Sequence, residues 1–270
     1  MKLLAIGDVH HHIKAAEEIA SKYEDTHKII FTGDYFDDYG DNAEVARKTA
    51  IWLKYSITKP NRFHLLGNHD LSYNTFCEWV ANGRVCKMYP CSGFKESKDA
   101  MITELMGRKE WSHFRFHHFE NGWHFCHAGI SAFWFEKPEG VTNENILVTI
   151  EELQNDFFES KPNHIIGAAG RSRYGPYEIG GIVWQDHYGE AQPIRGIKQV
   201  YGHTRCHVRG HTPRYTGIDV FKDCGGININ IDCGLSQVLE IEEDGTYNII
   251  DTGYDNFYDG PKNKNNLWNS

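Results

Sequence analysis

The sequence predicts an α/β fold in which two mixed β-sheets pack as a sandwich, with helices on the outer faces. Two observations support this prediction. Short apolar runs of four or five residues end abruptly at a Gly-Asp, Gly-Asn, Gly-His or lone His, and helical segments separate several of these runs. Runs this short, with little alternation, are typical of strands buried on both faces, and their alternation with helices indicates a mostly parallel sheet.

The predicted elements follow the chain in order. The apolar runs that precede polar motifs are residues 2–6, 28–32, 63–66, 123–126 and 198–201. Helices are predicted where apolar residues recur at helical spacing, at 13–23, 42–57 (with Asn42 as N-cap) and 142–160. Near the end, the strands 227–231, 237–241 and 247–250 are predicted to form a β-meander that contributes to a second, mixed sheet.

The 270 residues are enough for one large α/β domain or at most two small ones, and one domain is predicted. We expect this domain to span residues 1–250, with largely helical insertions at about 71–121 and 132–182, and a polar tail at 251–270. No apolar run approaches the ~18–20 residues that span a bilayer, and Asp8 interrupts the apolar start of the chain too early for a signal peptide.

Charge and cysteine content exclude some classes of protein. The net charge of −9 argues against a general nucleic-acid-binding surface. Seven cysteines are an odd number in a chain too large to be a disulfide scaffold. They therefore predict free thiols and a cytoplasmic protein. The lack of an apolar run long enough to span a bilayer predicts no membrane partner.

Polar side chains of the kind that bind metals follow five of the predicted strands. They are Asp8 and His10 in GDVH, Asp34 in GDYFDD, Asn68 and His69 in GNHD, His127 in HAG and His203 in GHT. Ligands of α/β sheets collect beyond the carboxyl ends of the strands, so we expect these loops to converge. Carboxylate, imidazole and amide without thiolate favour Mn²⁺, with iron, Zn²⁺ or Ni²⁺ as alternatives.

The number of candidate ligands favours two ions over one. Three or four ligands would serve one ion, and a bridging carboxylate, most plausibly Asp34, would hold a pair of ions ~3.5–4 Å apart. Two such cations bind phosphoryl oxygens, lower the pKa of a bridging water and supply hydroxide at neutral pH.

These motifs, in this order, resemble those of the calcineurin-like metallophosphoesterase superfamily. The segments HAGIS, VWQD and VYGHT resemble its phosphoprotein-phosphatase branch, which includes bacterial and phage-type serine/threonine phosphatases and diadenosine tetraphosphate hydrolases. The resemblance covers roughly residues 1–242 and implies a four-layer α/β/β/α sandwich that hydrolyses phosphoesters.

The resemblance also implies residue roles. One metal would be held by Asp8, His10 and Asp34, and the second by Asp34, Asn68, His127 and His203. His69 would be the general acid at the leaving-group oxygen, and Asp37 the carboxylate that orients it.

One departure from the family pattern concerns phosphate binding. Members of the protein-phosphatase type carry Arg where this chain has Asp38. Arg171 and Arg173, in the Gly-rich segment GAAGRSRYG, are the candidate replacements, because a guanidinium binds phosphate through two parallel hydrogen bonds. The alternative interpretation of this segment is a surface loop in which both arginines are solvated. Asp186 is a candidate to orient Arg171 or His203.

The identity of the last metal ligand stays open in GHTRCHVRGHTPR. His203 is favoured because it follows a predicted strand, His207 is the next candidate, and His211 is a candidate for lining the pocket.

The preferred function is a phosphomonoesterase acting on phosphoserine or phosphothreonine proteins. The alternatives are a nucleotide phosphatase or dinucleoside polyphosphate hydrolase and, more remotely, a non-catalytic scaffold. The scaffold is disfavoured because all six ligand positions and His69 are intact. Aromatic residues available to stack on a base are Tyr35, Phe36, Tyr39, Trp134 and Tyr174.

Overall fold

The computed structural model of the chain describes residues 1–82, 84–135, 140–206, 217–223 and 225–255. Its strands are β1 (Lys2–Ile6), β2 (His27–Phe31), β3 (Arg62–Leu65), β4 (Glu78–Ala81), β5 (Arg84–Lys87), β6 (Phe114–Arg115), β7 (His117–Glu120), β8 (Trp123–Cys126), β9 (Lys198–Tyr201), β10 (Asp219–Asp223), β11 (Gly226–Asn230), β12 (Gln237–Ile241) and β13 (Tyr247–Asp251). Its α-helices are α1 (Ile13–Tyr23), α2 (Ala43–Ser56), α3 (Asn68–Leu71), α4 (Glu96–Leu105), α5 (Arg108–Trp111), α6 (Ala132–Phe135), α7 (Asn143–Phe158) and α8 (His164–Gly167). Short 3₁₀ helices cover Thr75–Cys77 and Arg171–Arg173.

The strands form two mixed sheets and a separate hairpin. The first sheet has the order β13-β12-β1-β2-β3-β6, in which β1, β2, β3 and β6 are parallel. The second has the order β10-β11-β9-β8-β7, in which β11, β9 and β8 are parallel. The hairpin consists of β4 and β5. Two mixed sheets confirm the predicted fold class.

Strand β1 shows how the layers pack. Its residues Leu3, Leu4, Ala5 and Ile6 are all fully buried, as predicted for a strand covered on both faces. Leu3 and Ala5 belong to a cluster that includes Trp123, Phe125 and Val200 of the second sheet. Leu4 and Ile6, on the opposite face, belong to a cluster with Ala16 and Ile19 of α1 and Ala50 and Leu53 of α2. Alternate side chains of β1 therefore pack against the second sheet on one face and against the helices on the other.

The predicted helical character of residues 71–121 is only partly right. The segment contains α4 and α5, but β4–β7 also lie in it. β4 and β5 pair over four residues around Asn82, which has a φ of 51°, and such a short, largely exposed hairpin leaves little apolar periodicity to detect. The described part of the insertion at 132–182 contains α6, α7 and α8, and after α8 it consists of loops around the 3₁₀ helix Arg171–Arg173.

The predicted meander of the last three strands is wrong, because β11 lies in the second sheet, as predicted, but β12 and β13 lie in the first. β11 pairs in parallel with β9 in the second sheet, whereas β12 pairs antiparallel with β1 in the first. Ile229 of β11 and Leu239 of β12 both enter the cluster between the sheets. The chain therefore crosses from one layer to the other between them.

Most of the predicted polar tail, residues 256–270, lies outside the described residues. In the described ranges, every helix is too short or too polar to cross a bilayer.

A buried arginine joins the first sheet to its covering helix. The Arg62 side chain, on β3, is fully buried and donates to Glu17 of α1 at 2.6 and 2.9 Å and to Glu24 at 2.7 Å. Burial works to raise the pKa of Glu17, but its hydrogen bonds from Arg62, Trp52 and Ser21 outweigh this and lower the pKa to about 2.

Arg62→Met should lower the free energy of unfolding at pH 7 by about 2–3 kcal/mol, because two partly buried carboxylates lose their charged donor. The folded-state pKa of Glu17 is depressed, so its contribution is full above pH 4.5, its ordinary value, and is lost as the pH falls toward 2. Urea denaturation at several pH values should show the difference between variant and parent shrinking over that window. Lys161→Met, which breaks the exposed pair with Glu159, is the control and should change stability by less than about 0.5 kcal/mol. An Arg62→Met protein as stable as this control would contradict the assignment.

Candidate active site

The parallel strands bring their following loops to one edge, as predicted from the sequence. The amides of Val9 and His10, after β1, donate to the carbonyl of Asp34, after β2, at 3.1 and 2.8 Å. The Gly202 amide, after β9, donates to the carbonyl of His127, after β8, at 2.7 Å. The loops surround a cleft of about 980 Å³ whose lining includes His10, Asp34, Asp37, Asn68, His69 and His203. Asp8 and His127 are buried, at 1% and 0% exposure.

One group of ligand atoms comes from Asp8, His10 and Asp34, whose donor atoms lie within 4.8 Å of one another. His10 Nε2 is 4.0 Å from Asp8 Oδ2 and 3.9 Å from Asp34 Oδ2. The other ring nitrogen of His10, Nδ1, lies 2.6 Å from the carbonyl oxygen of Asp37, to which only a protonated nitrogen can donate. In the neutral ring, the Nε2 lone pair is therefore turned toward the two carboxylates.

The second group contains Asp34, His127 and His203, again within 4.8 Å. His127 Nε2 lies 3.1 Å from Asn68 Oδ1, 3.2 Å from His203 Nδ1 and 3.4 Å from Asp34 Oδ2. Its Nδ1 donates to the carbonyl of Thr32 at 2.9 Å, which turns the lone pair of the neutral ring toward these atoms. The Asn68 amide nitrogen donates to Cys91 Sγ at 3.1 Å, and this bond directs Oδ1 toward His127.

The donor set fits divalent cations. Lone pairs and carboxylate oxygens face one another in both groups, an arrangement that needs a proton or a cation between them. Burial alone would lower the pKa of His127, but Asp34 outweighs it and raises the pKa to about 9. Burial and the neighbouring Asp232 raise the pKa of Asp8 well above its usual value. A cation would take the place of such protons. The buried Nε2 of His203 has no hydrogen-bond partner among the described residues.

Two glycines permit the close approach of these loops. A Cβ atom at Gly67 would collide with the Asp34 carboxylate, and one at Gly202 with the carboxylate of Asp8. These positions are the glycines of the GNHD and GHT motifs, so both motifs require glycine because no space is left for a side chain.

The backbone at the site is strained at several non-glycine residues. Positive φ angles occur at His10 (40°), Asp34 (49°), Asp37 (65°) and His203 (68°). Such conformations cost of order 1–3 kcal/mol each and persist where the surroundings fix them. Four of the predicted site residues thus occupy a conformation that L-residues rarely adopt.

His69 lies beside both ligand groups. Its amide donates to Asp34 Oδ1 at 3.0 Å, and its Nδ1 lies 3.0 Å from Asp37 Oδ2. Burial lowers the pKa of His69, but Asp34 and Asp37 outweigh it and hold the pKa well above its ordinary value. Bound cations would weaken the influence of Asp34, and Asp37 would then be the carboxylate that keeps a proton on the ring.

The two candidate arginines differ in position. Arg171 is exposed and does not belong to the described cleft lining, whereas Arg173 does. Arg173 Nη2 donates to Thr204 Oγ1 at 2.9 Å and to the His203 carbonyl at 3.3 Å, and it lies 3.2 Å from Asp186 Oδ2. The sequence offered Arg171 or His203 as the partner of Asp186, and the partner is Arg173.

Asp38, at the position where members of the protein-phosphatase type carry Arg, is paired with a histidine. Asp38 Oδ2 lies 3.4 Å from His12 Nε2, and Asp38 lines the cleft. His207 and His211, the alternative ligands, lie outside the described residues.

Several residues at the site were missed by sequence reasoning. They are Asp70, Tyr73, Lys98, Thr204 and Asp232. Asp70 carried a signal, because it closes the GNHD motif, and Thr204 follows the predicted ligand His203 in GHT. Lys98 carried none, because it lies in a helix without a motif.

The aromatic residues proposed to stack on a base differ in their exposure. Tyr35 and Phe36 are fully buried, and Trp134 Nε1 donates to the carbonyl of Gly180 at 2.7 Å. Tyr39 and Tyr174 line the cleft and are fully exposed.

Comparison with known proteins agrees with this site. The family model for calcineurin-like phosphoesterases matches residues 1–215. The chain belongs to the calcineurin-like phosphoesterase family and is a metal-dependent hydrolase acting on phosphoric esters. A search of curated protein sequences found no significant match.

Solved structures show the same fold at low sequence identity. The cold-active protein-tyrosine phosphatase of a psychrophilic Shewanella species aligns with a TM-score of 0.51 and 15% identity, over 92% of this chain and 80% of that one. A further structure of a cold-active protein tyrosine phosphatase gives a TM-score of 0.54 and 15% identity, over 92% and 78%.

Asp34→Asn should remove most of the bound metal, because Asp34 belongs to both ligand groups. Metal per chain would be measured by inductively coupled plasma mass spectrometry after equilibration with Mn²⁺ and desalting. Asp38→Asn is the matched control, since it removes a carboxylate from the same loop outside both groups, and it should keep the metal content of the parent. Equal metal content in the two variants would contradict the assignment of Asp34.

Proposed function

We propose that the chain is a phosphomonoesterase of the serine/threonine protein phosphatase type that works with two divalent metal ions. The observation that carries the proposal is that Asp34 is common to both ligand groups, and that its Oδ1 accepts a hydrogen bond from the His69 amide. The proposed ligands are Asp8, His10 and Asp34 for one ion, and Asp34, Asn68, His127 and His203 for the other. Bound there, the ions would bind phosphoryl oxygens and lower the pKa of a bound water. The mixed oxygen and nitrogen donors support Mn²⁺, with iron, Zn²⁺ or Ni²⁺ as alternatives.

His69 and Asp37 supply the proton in this proposal. A protonated imidazole next to the ligand groups can protonate the oxygen of an alkoxide leaving group, and the contact between Nδ1 and Asp37 leaves Nε2 for that transfer. The raised pKa of His69 supports a ring that carries this proton at neutral pH.

Arg173 is the residue proposed to donate hydrogen bonds to the substrate phosphate. It lines the cleft, and its Nε is buried without a hydrogen-bond partner among the described residues. Asp186 and Thr204 hold one edge of its guanidinium. Fixed in this way, the group loses little side-chain freedom when a phosphoryl oxygen arrives.

A phosphorylated protein is the proposed substrate. The fully exposed Tyr39 and Tyr174 indicate that the cleft opens directly to solvent at these residues, so a phosphorylated residue on a polypeptide can reach it. The same two rings favour the second candidate, a nucleotide or dinucleoside polyphosphate, because each could stack on a base.

We also propose a cytoplasmic location. The six cysteines in the described part of the chain are all free thiols, as a reducing compartment requires.

The Mn²⁺-loaded protein should hydrolyse a phosphoserine or phosphothreonine peptide with kcat/KM at least about tenfold above that for nucleotides, a difference of ~1.4 kcal/mol. The panel would contain those peptides, a nucleoside monophosphate, diadenosine tetraphosphate and a phosphodiester. A phosphotyrosine peptide is included because the structurally similar Shewanella enzyme is a protein-tyrosine phosphatase. Preference for diadenosine tetraphosphate would favour the second candidate. Hydrolysis at the full rate after chelation of the metal would overturn the metal-dependent mechanism.

Arg173→Ala should raise KM for substrate and Ki for inorganic phosphate by roughly 10–100-fold, the effect of one charge-assisted pair of ~1.5–3 kcal/mol. Arg171→Ala is the control, because it removes an arginine from the same 3₁₀ helix outside the described cleft lining. Steady-state kinetics with phosphate as inhibitor would measure both constants, and metal content should not change. An unchanged Ki in Arg173→Ala would exclude Arg173 as the hydrogen-bond donor to phosphate.

A further inference from the structure

A buried lysine lies behind the proposed proton donor. Lys98 is on α4, in a segment without any metal-binding motif, and its side chain is fully buried. Its Nζ donates to Oδ1 of Asp37 and, at 2.7 Å, to Oδ2 of Asp41. Lysine side chains are almost never fully buried unless their charge is paired, and here two carboxylates pair with the ammonium.

The two oxygens of Asp37 have separate partners. Oδ1 accepts from Lys98 and from the Tyr73 hydroxyl, the latter at 2.6 Å. Oδ2 lies 3.0 Å from Nδ1 of His69. Two donors on one oxygen fix the rotation of the carboxylate, so that the other oxygen stays directed at the imidazole.

The second contact of Lys98 fixes the lysine itself. Asp41 is 6% exposed, and its Oδ2 also lies 3.0 Å from His11 Nε2. His11 Nδ1 in turn lies 2.8 Å from the Thr49 hydroxyl of α2. The ammonium is thus held on both sides, and α4 packs against α2. The orientation of Asp37 is therefore coupled to the packing of two helices.

We propose that Lys98 is a positioning residue for the reaction, which acts by holding Asp37 in the orientation that directs Nε2 of His69 at the leaving group. This inference rests on the proposed role of His69 as proton donor. It gives a function to the insertion that carries α4.

The test replaces Lys98 by Met, which keeps most of the volume and removes the charge. Lys87→Met is the matched control, because Lys87 also bridges two carboxylates, those of Glu78 and of Asp99 on α4, each at 2.7 Å, away from the cleft. Each protein would be assayed on an alkyl phosphoester, a phosphoserine peptide, and on an aryl phosphate whose leaving group needs little protonation. Thermal unfolding and metal content would be measured in parallel.

Lys98→Met should lower kcat for the peptide by about 10–100-fold, less than the ~10²–10⁴ expected for full loss of a general acid in His69→Asn. The aryl phosphate should lose much less, KM and metal content should stay near the parent values, and Lys87→Met should behave like the parent on both substrates. An equal loss on both substrates, or no loss, would overturn the proposal. If His69→Asn itself shows no selective loss on the peptide, the proposed proton donor is wrong, and the two failures are thereby distinguished.

A second variant keeps the test valid if Lys98→Met does not fold. The double variant Lys98→Met/Asp41→Asn removes one buried cation together with one buried anion, and so avoids an unpaired carboxylate at Asp41. The same selective loss on the peptide is expected, and equal effects on both substrates would again overturn the role of Lys98.

Discussion

The geometry of the site depends on one buried carboxylate. Asp70 accepts hydrogen bonds from the amides of Gly67 at 2.8 Å and of Asp34 and Tyr35 at 2.9 Å. These amides belong to the loops after β2 and β3, and burial without an acceptor would cost each of them about 1–3 kcal/mol. By satisfying all three, Asp70 holds Asp34 in its left-handed conformation and sets the distance between the two loops. The residue shared by both ligand groups is thus fixed by its backbone before any ion binds.

Charge repulsion and backbone strain at the site destabilise the folded state, and packing elsewhere in the fold must offset them. Asp8, Asp34 and Asp232 are buried close together, so their negative charges oppose one another. The left-handed residues add backbone strain. The parallel strands beneath, buried on both faces, supply apolar packing that supports these loops. Bound cations would relieve the repulsion, so metal binding and folding stability are expected to be coupled.

Much of the site could be predicted because the position of a residue after a parallel strand determines where it lies. The carboxyl ends of parallel strands share an edge, so Asp8, Asp34 and Asn68 converge whatever the intervening sequence. The sheet to which a strand belongs is not a local property, and for this reason β12 and β13 were predicted in the second sheet although they lie in the first. Lys98 could not be found, since α4 reaches the site through tertiary packing against α2. Nor could sequence separate Arg171 from Arg173, because neighbours on one short 3₁₀ helix differ only in the direction of their side chains.

The acidic residue in place of an arginine at the cleft has a consequence for how phosphate would be bound. It links the proposed phosphate-binding residue to the loops that carry the proposed metal ligands. Where members of the protein-phosphatase type carry Arg, this chain has Asp38 paired with His12, so the proposed phosphate site would need positive charge from another wall of the cleft. Arg173, the proposed phosphate-binding residue, lies on a separate segment, and its guanidinium donates to the carbonyl of His203 and to the hydroxyl of Thr204, the next residue. Because the His203 amide in turn donates to the Asp8 carboxylate at 3.1 Å, a shift of the loop after β9 would move Arg173 and two of the proposed metal ligands together. In this chain Arg173 and the proposed metal ligands Asp8 and His203 are therefore mechanically coupled through the loop after β9.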